Sequence, residues 1–163
     1  MKVLGYLVLL VLVLAVLAVI AGQLGLLRGK APSNLGVRDG KLKPPSKTPN
    51  SVTSQASLHA DHPQLAYANI EPIKFTGDAD FAMKKLADLL EKSERTAVIS
   101  RDSTYIRAEC STALMKYTDD VEFWMDKPAG VIHVRSSSRV GRKDFGVNRA
   151  RVEAIRAQFN SAP

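Results

Sequence analysis

One cysteine, Cys110, stands in the 163 residues. A lone thiol closes no internal disulfide, so a disulfide-stapled secreted scaffold is excluded. Histidine is nearly as scarce. His59, His62 and His133 form no HExxH or other ligand spacing, so no zinc site is expected. There is no Walker A loop, no GxGxxG and no GxSxG, and no motif calls for a cofactor. Aromatic residues make up only 6% and are not interleaved with basic ones, which argues against a single-strand nucleic-acid binder. A second long apolar run is also missing, so a multi-span transporter is excluded. The chain after its first apolar run suffices for one modest domain and is too short for a large multidomain enzyme.

That first run, residues 3–26, reads VLGYLVLLVLVLAVLAVIAGQLGL. It carries no charge, and Gln23 is its only clearly polar side chain. As a helix it would reach about 36 Å, enough to cross a hydrocarbon layer of about 30 Å with some tilt. A run apolar on every side is buried in lipid rather than in a small core. Residues 1–27 are therefore expected to be a transmembrane anchor or signal-anchor. The alternative is a cleaved signal peptide, with Lys2 as its n-region and Ala18 or Ala21 near the cleavage site. The length argues for retention, since signal h-regions run about 7 to 15 residues.

Residues 28–63 read as a basic linker. Pro32, Pro44, Pro45, Pro49 and Pro63 alternate with Gly29, Gly36 and Gly40, and six Lys or Arg stand against Asp39 and Asp61. Such a stretch buries too little apolar surface to offset its ordering entropy. Residues 64–163, the expected globular domain, are nearly balanced, with 16 basic and 14 acidic residues. The excess charge thus belongs to the juxtamembrane segment, where it suits anionic headgroups better than nucleic acid. Two signals oppose each other on topology. The cations after the span favour a cytoplasmic domain by the positive-inside rule, whereas a signal-like start sends the domain outward.

Within the domain, Asp78 to Lys92 has helical periodicity, with Phe81, Ala82, Leu86, Leu89 and Leu90 on one face and Asp78 and Asp80 in the first turn. Ala97–Ser100 and Thr104–Ser111 read as strands around a turn at Arg101 and Asp102. In the second strand Ile106, Ala108 and Cys110 face one way, and Tyr105, Arg107 and Glu109 the other. In Asp120–Met125, Val121, Phe123 and Met125 point inward while Glu122 and Trp124 point outward. A turn at 126–130 leads into a strand over Val131–Ser136. A last helix over 148–160 carries Val152, Ile155 and Phe159 on one face. The pattern predicts an α+β domain: a mainly antiparallel sheet of three to five strands packed against an N-terminal and a C-terminal helix, preceded by the single transmembrane helix.

The densest polar stretch is RSSSRVGRKDFGVNRAR, Arg135 to Arg151. Arg135, Arg139, Arg142 and Arg149, with Arg151 at the end of the run, are forked donors suited to carboxylate or phosphate. Ser136 and Ser138 add hydroxyls, Gly141 and Gly146 permit turns with exposed amides, and Asp144 and Asn148 lead into the helix. These residues could contact an anion at a helix start. Equally, they could be structural, with Arg135 pairing Asp119 or Asp120, Asp144 closing an Asx-turn and Asn148 capping the helix. Asp119 and Asp120 point to opposite faces of an extended chain, so they are not a ready acid–base pair. Cys110 alternates with apolar residues as a buried thiol does.

VIHVRSSSRVGRKDFGVNRARVEAIR, Val131 to Arg156, closely resembles the domain of unknown function family 1499. DDVEF at Asp119–Phe123 and PNSVTS at Pro49–Ser54 are also similar to that family's pattern. Ser51 stands where members commonly carry a cysteine, and Lys47 replaces an earlier cysteine-like position, so the chain departs from the pattern on which a thiol role would rest. The resemblance covers about residues 44–160. It implies a small protein of bacterial or plastid type with an N-terminal membrane or export segment, which favours an extracytoplasmic domain. It also implies that Pro49-Asn50 belongs to the domain, so that part of the linker packs on it.

Two functional readings remain. One is a membrane-anchored accessory or binding domain whose ligand is anionic, a lipid, or a partner protein of the membrane or envelope. The other is an unrecognised hydrolase using the Arg/Ser/Asp/Asn cluster at 135–149. No nucleophile–base pair is legible to support the second.

Overall fold

The computed structural model describes residues 1–161. Its first element is helix α1, Lys2–Gln23. It is the one helix among the described residues long and apolar enough to cross a membrane, and none of its central stretch is buried by the rest of the chain. Strand β1 (Ser51–Thr53), a short 3-10 turn at Ala56–Leu58, helix α2 (Leu65–Ala68) and strand β2 (Ile73–Lys74) come next. Helix α3 (Ala79–Lys92) leads into four consecutive strands, β3 (Thr96–Arg101), β4 (Tyr105–Ser111), β5 (Thr118–Asp126) and β6 (Val131–Ser138), and helix α4 (Val147–Ser161) is the last element.

The strands β3 to β6 form an antiparallel meander. Beyond β6, one edge is completed by two short strands end to end: β1 pairs its C-terminal half and β2 its N-terminal half, both antiparallel. The sheet therefore has six strands rather than three to five. The two extra strands are too short to show an alternation of period two, and one lies in the Pro-rich stretch read as linker.

Each element has a local cause. Asp78 caps α3, its carboxylate accepting the Phe81 amide at 2.7 Å. Asp102 Oδ1 accepts the amides of Thr104 and Tyr105 and so closes the β3–β4 turn. Gly130, at φ 64, supplies the left-handed residue that ends the β5–β6 turn. The helices cover one sheet face. Ile106, Val121, Phe123, Met125, Ile132 and Val134 meet Met83, Leu86 and Leu90 of α3 and Val152, Ile155 and Phe159 of α4 in one apolar core. Phe81, expected on the core face of α3, is 60% exposed. Met83 and Ala87 take the inner positions instead, because the buried stripe lies about one residue further round the helix.

The opposite sheet face is covered as well. Glu122, expected to point outward, is 0% exposed. Residues 28–44 run over this face as a strap. The Gly36 amide donates to Glu122 Oε1 at 2.7 Å, and the Pro44 carbonyl accepts from Arg135 Nε at 3.4 Å. Gln55 fixes the strap to the edge strand: its Oε1 accepts the Leu42 amide at 2.8 Å and its Nε2 donates to the Gly40 carbonyl at 2.9 Å. Leu42, within the strap, is buried.

Candidate functional site

The antiparallel register sorts the polar cluster into two groups on opposite faces of the sheet. On the helix face, Asp119, Ser136 and Ser138 stand beside Cys110 and point toward the start of α4. At the centre is Asn148, fully buried. Its Oδ1 accepts from Ser136 Oγ at 2.6 Å and from Arg151 Nη1 at 2.8 Å. Its Nδ2 lies within bonding distance of the Asn50 carbonyl (3.1 Å), Ser138 Oγ (2.9 Å) and Asp144 Oδ2 (2.8 Å). Arg151 also donates to Asp119 Oδ2 at 2.6 Å.

Asp144 ties this group to the helix. Phe145 (φ 53) and Gly146 (φ 85) are left-handed, which turns the Gly146 amide back onto Asp144 Oδ1 at 3.1 Å. Asp144 Oδ2 accepts the Asn148 amide at 3.0 Å, and the Tyr67 hydroxyl donates to Oδ1. Burial pushes the Asp144 carboxyl upward, but the Tyr67, Asn148 and Gly146 donors outweigh it and hold it below the usual range. Asp144 thus forms the Asx-turn weighed from sequence, and Asn148 lies just inside α4.

The strap face holds a second, charged group. Asp120, 1% exposed, receives Arg139 Nε at 2.8 Å and Arg107 Nη2 at 2.9 Å. Arg139 and Arg107 share Glu109 as well. Burial raises the Asp120 carboxyl, and its hydrogen bonds from Arg139 and Arg107 lower it further than burial raises it. Arg139 is driven above its ordinary value chiefly by Asp120. Next to these four residues, Arg135 Nη1 lies 3.4 Å from Glu122 Oε2, and Tyr105 OH donates to Glu122 Oε1 at 2.9 Å. Burial lowers Arg135 against the pull of Glu122 and Asp120.

Arg135 therefore meets Glu122 and not Asp119 or Asp120. The register explains it: Arg135 stands directly opposite Glu122, while Asp119 faces Ser138 and Asp120 faces Ser137. Asp119 pairs Arg151 and Asp120 pairs Arg139, so the three residues grouped from sequence belong to three different ion pairs. The remaining candidates separate similarly. Arg149 Nη2 donates to the carbonyls of Tyr67 (2.7 Å) and Asn69 (2.8 Å). The Gly141 carbonyl accepts Asn50 Nδ2 at 2.7 Å. Arg142 is exposed, and no partner among the described residues holds it.

Sequence reasoning passed over Asn50, Tyr67, Glu109, Glu122 and Arg107 as parts of these networks. Their signal was the alternation along β4 and β5, which puts Arg107, Glu109, Asp120 and Glu122 on one face. It also passed over a serine–histidine–aspartate array. Ser54 Oγ lies 3.1 Å from His133 Nδ1, and His133 Nε2 lies 3.7 Å from Asp126 Oδ2. The array is poorly suited to nucleophilic attack. Ser54 Oγ already accepts the Val134 amide at 2.9 Å, the acid stands beyond hydrogen-bond reach of the imidazole, and the Trp124 ring stacks on His133 at 5.4 Å.

One surface concavity lies away from both networks, and another adjoins the Arg135–Glu122 pair through Gly36 and Pro44. A groove of about 670 Å³ runs along α3 and is lined by Phe81, Lys84, Asp88 and Gln158 among others. A smaller one of about 210 Å³ lies in the strap between Asn34, Gly36, Arg38, Lys41, Lys43 and His59. Burial, and then the nearby Arg135, lower the Lys43 ammonium. Among the described residues no three His, Cys, Asp or Glu side chains gather in a way that would hold a metal ion.

No curated protein and no solved structure matches this chain. A family profile described as "Protein of unknown function (DUF1499)" matches residues 41–159. That span runs from the strap's end through both polar networks to the last buried turn of α4, and so the chain belongs to the DUF1499 family.

Proposed function

We propose that this protein is a membrane-anchored accessory domain that binds an anionic ligand through its basic strap, with α1 retained as the anchor. One observation carries the reading. The buried Arg135 and the half-buried Arg107, Arg139 and Arg151 are neutralised by carboxylates inside the domain. By contrast, Arg28, Lys30, Arg38, Lys41, Lys47, Arg142 and Lys143 are exposed with no ion-pair partner among the described residues. In residues 28–47 the only acidic side chain is Asp39. Unpaired cations concentrated on one segment attract anions, and the strap concavity offers Arg38, Lys41 and Lys43 around one opening.

Of the candidates read from sequence, Arg142 and the Gly141 turn remain available to a ligand. Ser136, Ser138, Arg139, Asp144, Asn148 and Arg149 serve the fold in this reading. The hydrolase alternative gains no support, since Ser136, Ser138, Arg135, Arg139 and Arg149 are all engaged with internal partners. The test is calorimetric titration of the full chain in phosphatidylcholine nanodiscs. Inorganic pyrophosphate, an oligo-glutamate peptide and an anionic-lipid nanodisc are compared as ligands. At least one should bind, and more weakly as salt rises. Absence of binding to all three at low salt would sink the proposal. Carbonate washing of membranes tests the anchor: the full-length chain should stay with the pellet.

A further inference from the structure

Gln23 is the one clearly polar side chain of the apolar run, and it reaches out of α1 to the domain. Its Nε2 donates to the Leu114 carbonyl at 2.7 Å and approaches the Ala113 carbonyl at 3.4 Å. One residue earlier, Gly22 is buried against the same loop. A Cβ placed there would lie 2.7 to 2.9 Å from the Met115 backbone, so only glycine allows this approach. The β4–β5 loop, residues 112–117, therefore rests on the last turn of the span. Gly29 repeats the pattern just beyond the helix. A Cβ on it would meet the Val140 side chain at 2.6 Å and Arg139 Cβ at 2.9 Å. The Arg139 amide donates to the Thr118 carbonyl at 3.3 Å, so Val140 and the β4–β5 loop lie at the same end of the sheet.

This end exposes an apolar patch. Leu114 is 59% exposed, Tyr117 and Val140 are also exposed, and Leu24 and Leu26 stand open beside them as the chain leaves α1. The 22 residues of α1 make about 33 Å of helix, close to the hydrocarbon thickness. Its last turn, and the loop packed on it, then fall at the hydrocarbon–headgroup boundary. Gln23 satisfies two loop carbonyls that would otherwise meet a medium poor in donors. Tyr117 has the ring-and-hydroxyl chemistry favoured at that depth, and Lys116 beside it can extend its ammonium toward the headgroups.

We infer that the domain does not swing on a free tether but docks on the bilayer, inserting Leu114 of the β4–β5 loop, with Tyr117 and Val140, into the lipid interface next to α1. The occupant of this apolar patch is lipid, because the patch is continuous with the end of the span. The inference rests on retention of α1 and not on the anionic ligand, since its contact is apolar.

The experiment uses the full chain with Cys110→Ala, reconstituted in phosphatidylcholine vesicles. A single cysteine is placed at Leu114→Cys or at Ser103→Cys and labelled with an environment-sensitive dye. Ser103 lies in the turn at the other end of β4, about 20 Å away at strand rise. The dye at 114 should emit blue-shifted and be quenched by spin-labelled acyl chains several-fold more than the dye at 103. Gly22→Leu, which displaces the loop, should reduce quenching at 114 while the chain stays with the vesicles after carbonate. Equal, water-like emission at 114 and 103 in carbonate-resistant protein would overturn the docking while leaving the anchor intact. Quenching at 114 only in anionic vesicles would overturn it in favour of electrostatic attraction. Release of the chain by carbonate would overturn anchor and docking together.

Discussion

Arg135→Met should be among the most damaging single changes in the domain, and Glu122→Gln should undo much of that damage. The two groups are 4% and 0% exposed and stand opposite each other on β6 and β5. Their closest approach of 3.4 Å corresponds to about 5 kcal/mol of attraction at an effective dielectric of about 20, before desolvation. Removing the guanidinium leaves Glu122 charged, dry and held only by Tyr105 OH and the Gly36 amide. A buried charge stripped of its partner costs about 3 to 5 kcal/mol. The double variant removes both charges and keeps an acceptor for Tyr105 and Gly36, so its loss should fall well short of the sum. Urea unfolding of the full chain in mild detergent reads this directly. The sole tryptophan, Trp124, reports on the sheet through its stack on His133. Losses below about 1 kcal/mol for Arg135→Met, or strictly additive losses in the double variant, would refute the buried-pair argument.

Other consequences come from the same geometry. Phe123→Ala empties a fully buried site and should cost about 3 to 5 kcal/mol in the same urea assay. Asn148→Ala strands Ser136, Ser138 and Asp144 without their shared partner and should cost about 2 to 4 kcal/mol by the same readout. Asn148→Asp should be worse near neutral pH, because it sets a carboxylate against Asp144. Stability should also fall in two stages on acidification. Burial holds the His133 imidazole below its ordinary value despite Asp126, so its contribution is present above about pH 6.5 and is lost as the pH falls through the lowered folded-state value. Asp120 and Asp144 are likewise lowered, so theirs is present above about pH 3.8 and lost below it. His133→Gln should remove the first stage of a melting-temperature profile and leave the second.

The meander and its helices were legible because apolar and polar residues alternate along β4 and through the middle of β5. Val121, Phe123 and Met125 sit inward as expected, and so do Ile106, Ala108 and Cys110. The α3 start was legible through Asp78, whose cap is a local interaction. The edge strands were not, because Ser51–Thr53 and Ile73–Lys74 are held by pairing with β6 across the fold rather than by any local pattern. The strap escaped for a related reason. Its order comes from single contacts over long separations, such as Gly36 to Glu122, which composition does not show. That missing cover made Glu122 look like a solvent-facing residue and left Arg135 to be matched with the neighbouring aspartates. The arginine–serine–asparagine cluster was visible as a run, but a run does not reveal that strand alternation and the turn at 144–146 divide it between two faces.

The central claim is that the arginines inside the sheet hold the fold, while the unpaired cations of the strap and the Gly141 turn bind the ligand. The most direct measurement is titration of the full chain in phosphatidylcholine nanodiscs with whichever of pyrophosphate, oligo-glutamate and anionic-lipid nanodiscs binds it most tightly, comparing the wild type with an Arg38→Gln, Lys41→Gln, Arg142→Gln variant. All three side chains are exposed and hold no carboxylate among the described residues, so folding should be untouched. The account predicts binding by the wild type that drops at least about tenfold in the variant, at an unchanged urea midpoint. Wild-type binding that survives all three substitutions undiminished would contradict it.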